Sequence, residues 1–201
     1  MFELAEHFPN LKYLDLGSGF KVAYRDGGME TDVAELGQKV AAAMDRFASD
    51  TGKKPELWFE PGKFLVSKSG HFLVRTNVIK HTTATVFAGI NSGFNHLIRP
   101  MFYDAYHEIQ NLSNPSGPER IYTVVGNICE TDTFAWDRKL NETREGDILV
   151  FRNSGAYGFE MSSNFNSRLK PAEVLFLDGK IHLIRRRDAF EDLLKNQIEV
   201  L

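Results

Sequence analysis

The residues best suited to chemistry lie in one short string, Gly126-Asn127-Ile128-Cys129-Glu130-Thr131, with Asp132 just beyond it. Cys129 is the single cysteine among 201 residues, so it has no internal disulfide partner. It follows an apolar run and a glycine and stands beside a carboxylate. A thiol on a loop next to an acid is what delivery of a proton to a substrate requires. Taken alone, the same residue equally suits a buried structural position.

Four other groups carry chemical potential, each with an ordinary alternative. Arg99 and Tyr103 stand four apart at the end of a polar loop that begins at Asn91. A guanidinium and a phenol can hold a carboxylate between them, or simply be solvated. Gly17-Ser18-Gly19 directly follows a short apolar strand, where backbone N–H groups can turn toward an anion such as phosphate. A plain strand-to-helix turn has the same composition. Glu60-Pro61-Gly62-Lys63 sets a carboxylate and an ammonium at the end of the next strand, a placement suited to chemistry in β/α folds and also to a charged turn. In Asn153-Ser154-Gly155-Ala156-Tyr157-Gly158 the flanking glycines let a tyrosine approach a ligand closely; a tight turn is the alternative. Met161 to Asn166 is polar and suits the same cleft. His81, His96 and His107 are far apart and show no ligand spacing, so no metal site is expected.

These groups need elements to position them. Tyr13 to Leu16 reads as a strand. Thr31 or Asp32 caps a helix on which Val33, Leu36, Val40, Ala43 and Phe47 recur at helical spacing, and Thr51-Gly52 stops it. Glu56 to Phe59 is the next strand, halted by Pro61-Gly62. Strand–helix–strand alternation is the pattern of a parallel sheet or β/α barrel. From about residue 70 the pattern changes. His71 to Ile79, Thr85 to Ile90, Ile121 to Val125 and Ile148 to Phe151 read as strands with no long helix between them. Val174 to Leu177, Asp178-Gly179 and Lys180 to Ile184 form a hairpin signal, because Asp-Gly tolerates the positive φ of a type I′ turn. A terminal helix presents Phe190, Leu193, Leu194 and Ile198 on one face, and Asn114 to Pro118 is a loop tip. The expected fold is α/β plus β. Residues 1–69 read as part of a parallel sheet or an incomplete β/α barrel, completed by another chain or by a longer protein of which this is the C-terminal part, and residues 70–201 read as an antiparallel β-sheet or barrel domain with a terminal helix. A closed β/α barrel takes eight strands and residues 1–69 supply about two, so exposed apolar surface is expected there.

Bulk properties narrow the function classes. Apolar residues make up 42% and phenylalanines number 16, which provides a core. A net charge of −3 argues against a nucleic-acid or anionic-membrane partner. The run Arg185-Arg186-Arg187 reads as a solvated strand end. No stretch approaches the ~18 apolar residues of a membrane helix, no signal peptide is visible, and one unpaired thiol fits a reducing cytoplasm.

In order and spacing the motifs resemble the C-terminal half of the diaminopimelate decarboxylases, pyridoxal-phosphate enzymes of the alanine-racemase-like barrel class. The resemblance runs from about Tyr13 to the terminal helix. Its strings are Gly17-Ser18-Gly19-Phe20, Glu60-Pro61-Gly62-Lys63, Ile98-Arg99-Pro100 with Tyr103-Asp104-Ala105-Tyr106-His107, Val125 to Glu130, Gly155 to Gly158 and Met161 to Asn166.

The resemblance implies decarboxylation of meso-2,6-diaminopimelate to L-lysine and carbon dioxide, with residues 1–69 as the incomplete C-terminal part of the pyridoxal-phosphate-binding β/α barrel and residues 70–201 as the C-terminal β-sheet domain. It assigns Gly17, Ser18 and Gly19 to the cofactor phosphate and Glu60 to the pyridine nitrogen, with Pro61, Gly62 and Lys63 near phosphate and substrate. Arg99, Tyr103 and Glu130 would hold the substrate's distal end, Tyr157 would touch cofactor and substrate, and Cys129 would protonate the carbon that loses carbon dioxide. Cys129 and Glu130 belong to a loop donated by the other subunit in this family, so the partner is a second copy, or the N-terminal half of the same enzyme. The sequence departs from the family in four places. Ser18 and Lys21 stand where glycines are usual, Lys63 replaces an arginine and loses its bidentate fork, and the string after Glu130 is one residue shorter. The family's cofactor lysine has no counterpart here, so Met1 reads as a truncated, internal or split-gene start, and the isolated chain is expected to be inactive. A non-catalytic fragment that binds full-length decarboxylase, or a carboxynorspermidine-type decarboxylase, are the alternative functions.

Overall fold

The computed structural model describes residues 1–200 and divides the chain into two units, Met1–Lys68 and the residues from Ser69 on. In the first, a short helix α1 (Phe2–Ala5) precedes strand β1 (Tyr13–Asp15), helix α2 (Val33–Thr51), strand β2 (Glu56–Trp58) and helix α3 (Gly62–Val66). Asp32 caps α2 by accepting the N–H groups of Ala34 and Glu35 at 2.9 and 3.0 Å. Gly52 ends it in the left-handed conformation, φ +70°, which only glycine adopts without cost. β1 and β2 pair in parallel, Leu14 opposite Leu57, and Ala5, Leu14, Met44 and Phe47 form a small core between strand and helix. Val33, which periodicity puts on the apolar stripe, is exposed because it is the first helical residue. The five-residue α3 follows Pro61, where the sequence marks only the end of a strand.

As expected of two strands without the rest of a barrel, the first unit leaves Phe8, Trp58, Leu65 and Val66 exposed. Tyr13 and Trp58 stack on each other with centroids 4.5 Å apart.

The second unit is built on six strands in the order β5-β8-β3-β4-β6-β7: β3 (Phe72–His81), β4 (Val86–Ile90), β5 (Ile109–Asn111), β6 (Glu119–Val125), β7 (Thr133–Asn141) and β8 (Ile148–Phe151). The edge strands β5 and β7 approach each other, so the sheet curls around its core. Val74, Ile90, Leu97, Val124, Phe134, Leu149 and Phe151 fill that core, and the Phe151 ring meets those of Phe72 and Phe134. The sheet is mixed rather than wholly antiparallel, because β4 and β6 run parallel. The chain between them makes helix α4 (Arg99–Tyr103) and strand β5 before re-entering the sheet in the same direction, and parallel neighbours need such a crossover.

Two strands, β9 (Glu173–Leu177) and β10 (Lys180–Arg185), form a separate antiparallel ribbon. Asp178 and Gly179 both have positive φ, 49° and 73°, the requirement of a type I′ turn. The basic run at the end of β10 is exposed and ion-paired, Arg185 to Glu173 and Arg186 to Asp192. The terminal helix α5 spans only Phe190–Leu194, so Ile198 lies beyond it rather than on its face. Among the described residues no helix is long and apolar enough to cross a membrane, and no cluster of three metal-ligating side chains occurs.

Candidate functional site

In the first unit the glycine loop and Glu60 meet at one end of the parallel pair. Leu16 donates to the Trp58 carbonyl at 2.9 Å, and Glu60 donates its N–H to the Gly17 carbonyl at 2.8 Å. This places both segments at the C-terminal ends of β1 and β2, where β/α folds put ligands. Gly17 and Gly19 have φ of +71° and +102°, and Asp15 holds the turn by accepting the Gly17 N–H at 2.8 Å. A Cβ on either glycine would meet nothing within 4 Å, so backbone conformation and not crowding requires glycine there. Among the described residues no protein group accepts from the N–H groups of Ser18, Gly19 or Phe20. Three successive donors without a protein acceptor, next to left-handed glycines, suit an anion. The Phe20 ring packs against Phe59 and Phe64, each 5.8 Å away, and so ties the loop to the Glu60–Lys63 turn. Lys63 sits in the first turn of α3 and is half-buried.

In the second unit Arg99 and Tyr103 lie on α4, not in a loop. Pro100 fits the first turn because its missing N–H is not needed there. The spacing of four puts the two side chains on one helical face. Arg99 is buried, whereas Tyr103 is exposed. Asp104 ends the helix with φ +51° and reverses the chain, which brings His107 back to Arg99. His107 Nε2 lies 3.2 Å from Arg99 Nη1, and Nδ1 lies 2.8 Å from the Arg152 carbonyl.

Cys129 and Glu130 are exposed at the tip of the loop between β6 and β7. Its base is held by Asp132, a buried carboxylate. Oδ1 accepts the Phe94 N–H at 2.7 Å and Oδ2 accepts the Ile128 N–H at 2.9 Å. The Asp132 carbonyl accepts from Gly126 at 2.7 Å, and Asn127 donates to the Ser92 carbonyl at 3.0 Å. Burial raises the Asp132 pKa above the usual carboxylate value, against the backbone N–H groups of Ile128, Phe94 and Asn127, which favour the ionised form.

The segment after β8 packs on the same region. Asn95 Nδ2 donates to the Ser163 carbonyl at 3.1 Å, and Ser163 returns its N–H to the Asn95 carbonyl at 2.8 Å. The Phe94 and Phe165 rings meet at 5.3 Å. Asn166 Nδ2 reaches Cys129 Sγ at 3.7 Å, and Arg168 donates to the Asn127 carbonyl at 3.3 Å. Tyr157 is exposed with φ +58°, and its N–H donates to Glu160 Oε1. Gly158 is required at its place, because a Cβ there would lie 2.3 Å from the Ser154 carbonyl oxygen.

The structure thus gathers Gly17, Ser18, Gly19 and the Glu60–Lys63 turn into one set. It joins the Cys129 loop to the Met161–Asn166 segment in another. It does not link Cys129 or Glu130 to Tyr103 or Tyr157 by any hydrogen bond among the described residues. Two residues gain a place that the sequence reading did not give them. The sequence marks Asp132 only as the neighbour of the loop, and the signal for its role is the glycine six positions earlier. His107 stood inside a motif without a role. Its partners, eight and 45 residues away, leave no local signature.

Comparison with known proteins follows the same division. Residues 1–67 match the pyridoxal-binding domain of the pyridoxal-dependent decarboxylases, and residues 63–155 match the C-terminal sheet domain of the same enzymes. The chain is 40% identical over 189 residues to a diaminopimelate decarboxylase of Methanothermobacter thermautotrophicus, covering 92% of this chain and 44% of that protein. It is 41% identical over 184 residues to one from Campylobacter jejuni, with 91% and 44% covered. A crystal structure of the diaminopimelate decarboxylase from M. jannaschii in complex with L-lysine superimposes with a TM-score of 0.91 at 32% identity, covering 99% of this chain and 46% of that one. The chain therefore spans a little under half the length of these relatives. Two domain models of one enzyme family run through residues 1–155 without a gap, and the chain belongs to the pyridoxal-dependent decarboxylases.

Proposed function

We propose that this chain forms part of an enzyme that decarboxylates meso-diaminopimelate to L-lysine with pyridoxal phosphate. The observation that carries the reading is the presentation of the sole thiol and its neighbouring carboxylate on a loop pinned by a buried aspartate. Relatives bearing that enzyme's name over nine-tenths of the chain support the substrate.

The proposal assigns residues 1–69 to the cofactor-binding barrel and residues 70–201 to the sheet domain. The first set of residues fits the cofactor. The donors of Ser18, Gly19 and Phe20 suit a phosphate, and Glu60, exposed beside the same loop, suits a protonated ring nitrogen. When bound, the cofactor supplies the electron sink for the bond to carbon dioxide. Every other task falls to side chains. Arg99, with Tyr103 and Glu130, receives the carboxylate and ammonium of the substrate's far end, and the buried guanidinium favours a carboxylate over a simple amine terminus. Tyr157, raised from its turn by a left-handed backbone, contacts cofactor and substrate. Lys63 serves as a point charge near phosphate or substrate. Cys129 gives its thiol proton to the carbon that has lost the carboxylate.

The partner in this reading is a second copy, to which the Cys129–Glu130 loop is offered, or the N-terminal half of the enzyme. The compartment is the cytoplasm, where an exposed unpaired thiol persists reduced.

The test is to combine the chain with the amino-terminal half of the Methanothermobacter relative and pyridoxal phosphate, then to measure carbon dioxide and lysine from meso-diaminopimelate. Release that falls by about 100-fold or more in Cys129→Ala, within the range of general acid catalysis, supports the reading. Release unaffected by both Cys129→Ala and Glu60→Gln overturns it.

A further inference from the structure

We infer that His107 is a positioning residue that fixes the Arg99 guanidinium in one orientation. Under the function proposed above, that guanidinium receives the distal carboxylate of the substrate, and the inference deepens that reading.

The chemistry of the two contacts assigns the state of the ring. A guanidinium only donates hydrogen bonds, so Nε2, 3.2 Å from Arg99 Nη1, must present its lone pair. A carbonyl only accepts, so Nδ1, 2.8 Å from the Arg152 oxygen, must carry the hydrogen. Both contacts are satisfied together by one form alone, the neutral ring with its proton on Nδ1.

Burial keeps it there. His107 is 2% exposed and Arg99 9%. Desolvation lowers the histidine pKa to about 4, and the Arg99 and Arg138 charges facing it act in the same direction.

The ring is itself anchored. Arg138 on β7 donates to the His107 carbonyl at 2.7 Å while its guanidinium covers the Tyr106 ring at 3.9 Å. The left-handed Asp104 turns the chain back toward α4, and the Ala105 N–H closes onto the Arg99 carbonyl at 3.2 Å. A five-residue helix cannot by itself hold a long side chain in one rotamer, and lost rotamer freedom is a main cost of binding through arginine. An acceptor fixed from β7 and from the end of β8 meets that cost in advance.

A side chain that merely filled the core would not need a lone pair toward Arg99 and a hydrogen toward Arg152 at once. Phenylalanine would fill much of the same space, which makes His107→Phe the informative change and His107→Gln, with one acceptor and one donor, the conservative rescue.

The experiment uses the full chain labelled with nitrogen-15 at histidine and arginine. NMR is expected to show His107 as the Nδ1–H tautomer, unchanged between pH 7 and pH 5.5. The Arg99 Nη resonances are expected to be separate in the parent, averaged by rotation in His107→Phe and separate again in His107→Gln. With the chain combined with the amino-terminal half of the Methanothermobacter relative, titration with meso-diaminopimelate is expected to weaken about tenfold in His107→Phe, because the guanidinium must then be ordered on binding. Titration with 1,5-diaminopentane, which lacks carboxylates, is expected to stay unchanged. If His107→Phe does not fold, Arg99→Lys replaces it, and the His107 Nε2 resonance must then shift.

The opposite tautomer overturns the inference. So do Arg99 resonances that are the same in the parent and His107→Phe, or an Nε2 resonance indifferent to Arg99→Lys. A parent chain that, combined with that amino-terminal half, binds diaminopimelate no better than the diamine overturns the carboxylate role of Arg99, and with it the proposed substrate. The tautomer and the Arg99 resonances still decide whether His107 positions the guanidinium.

Discussion

The Asp132 carboxylate occupies the space that any side chain at Gly126 would take: a Cβ on that glycine would lie 2.0 Å from Oδ2. Gly93 faces the same carboxylate from the neighbouring loop, with a Cβ position 2.9 Å from Oδ2 and 2.4 Å from Ile128 Cγ1. The glycine that opens the cysteine loop is therefore required by close approach to a buried acid and not by a left-handed φ.

Gly126→Ala forces that carboxylate off two backbone donors or displaces the loop. Overpacking of this kind costs about 1–3 kcal/mol, and urea denaturation reads it as a lower midpoint at unchanged slope. A midpoint equal to that of the parent would mean that Asp132 yields freely.

Asp132→Asn preserves shape but turns an amide donor toward the N–H of Phe94 or Ile128. Leaving one such buried donor unmatched costs about 1–3 kcal/mol. The loop that loses its anchor carries the sole thiol, so modification by a disulfide reagent reports on it directly. The rate at Cys129 is expected to change severalfold in Asp132→Asn, and amide exchange at residues 126–131 to accelerate. Equal thiol and exchange rates in parent and variant would show that the carboxylate does not organise the loop.

Acid should weaken the second unit through His107. Its folded-state pKa is about 4, below the ~6.5 of an unconstrained imidazole. The unfolded chain therefore binds the proton more readily than the folded one. Stability from this group is fully present above pH ~6.5 and is lost as pH falls toward 4, by up to about 3 kcal/mol. In His107→Phe the slope of unfolding free energy against pH should flatten over that interval. Parallel slopes in parent and variant would contradict the assignment.

Local signals carried much of the fold into the sequence. The Asp32 cap, the Gly52 stop and the Asp178-Gly179 turn each act within a few residues and were readable as such. Strand β7 was not read, because the left-handed Asp137 and two register shifts against β6 break its alternation. Strand β5 has three residues and α4 has five, too few for any period to emerge. Of the residues proposed for function, the glycine loop, Glu60, Arg99, Cys129 and Tyr157 are legible as residue types in suggestive strings. Asp132 and His107 act through distant backbone atoms, the Phe94 N–H and the Arg152 carbonyl, and their roles could not be seen before the chain was folded.

Among the described residues the β9–β10 ribbon pairs only with itself, yet it exposes Phe176, Leu177, Ile181, Leu183 and Ile184. Its charged residues, Glu173, Lys180 and Arg185, sit toward its two ends and leave the middle uncharged. Colloidal behaviour should follow from that bare centre. Ammonium sulfate, which strengthens apolar attraction, should salt the chain out at concentrations where its spectroscopic signature is still native, and a lysine placed at Phe176 should raise the precipitation point.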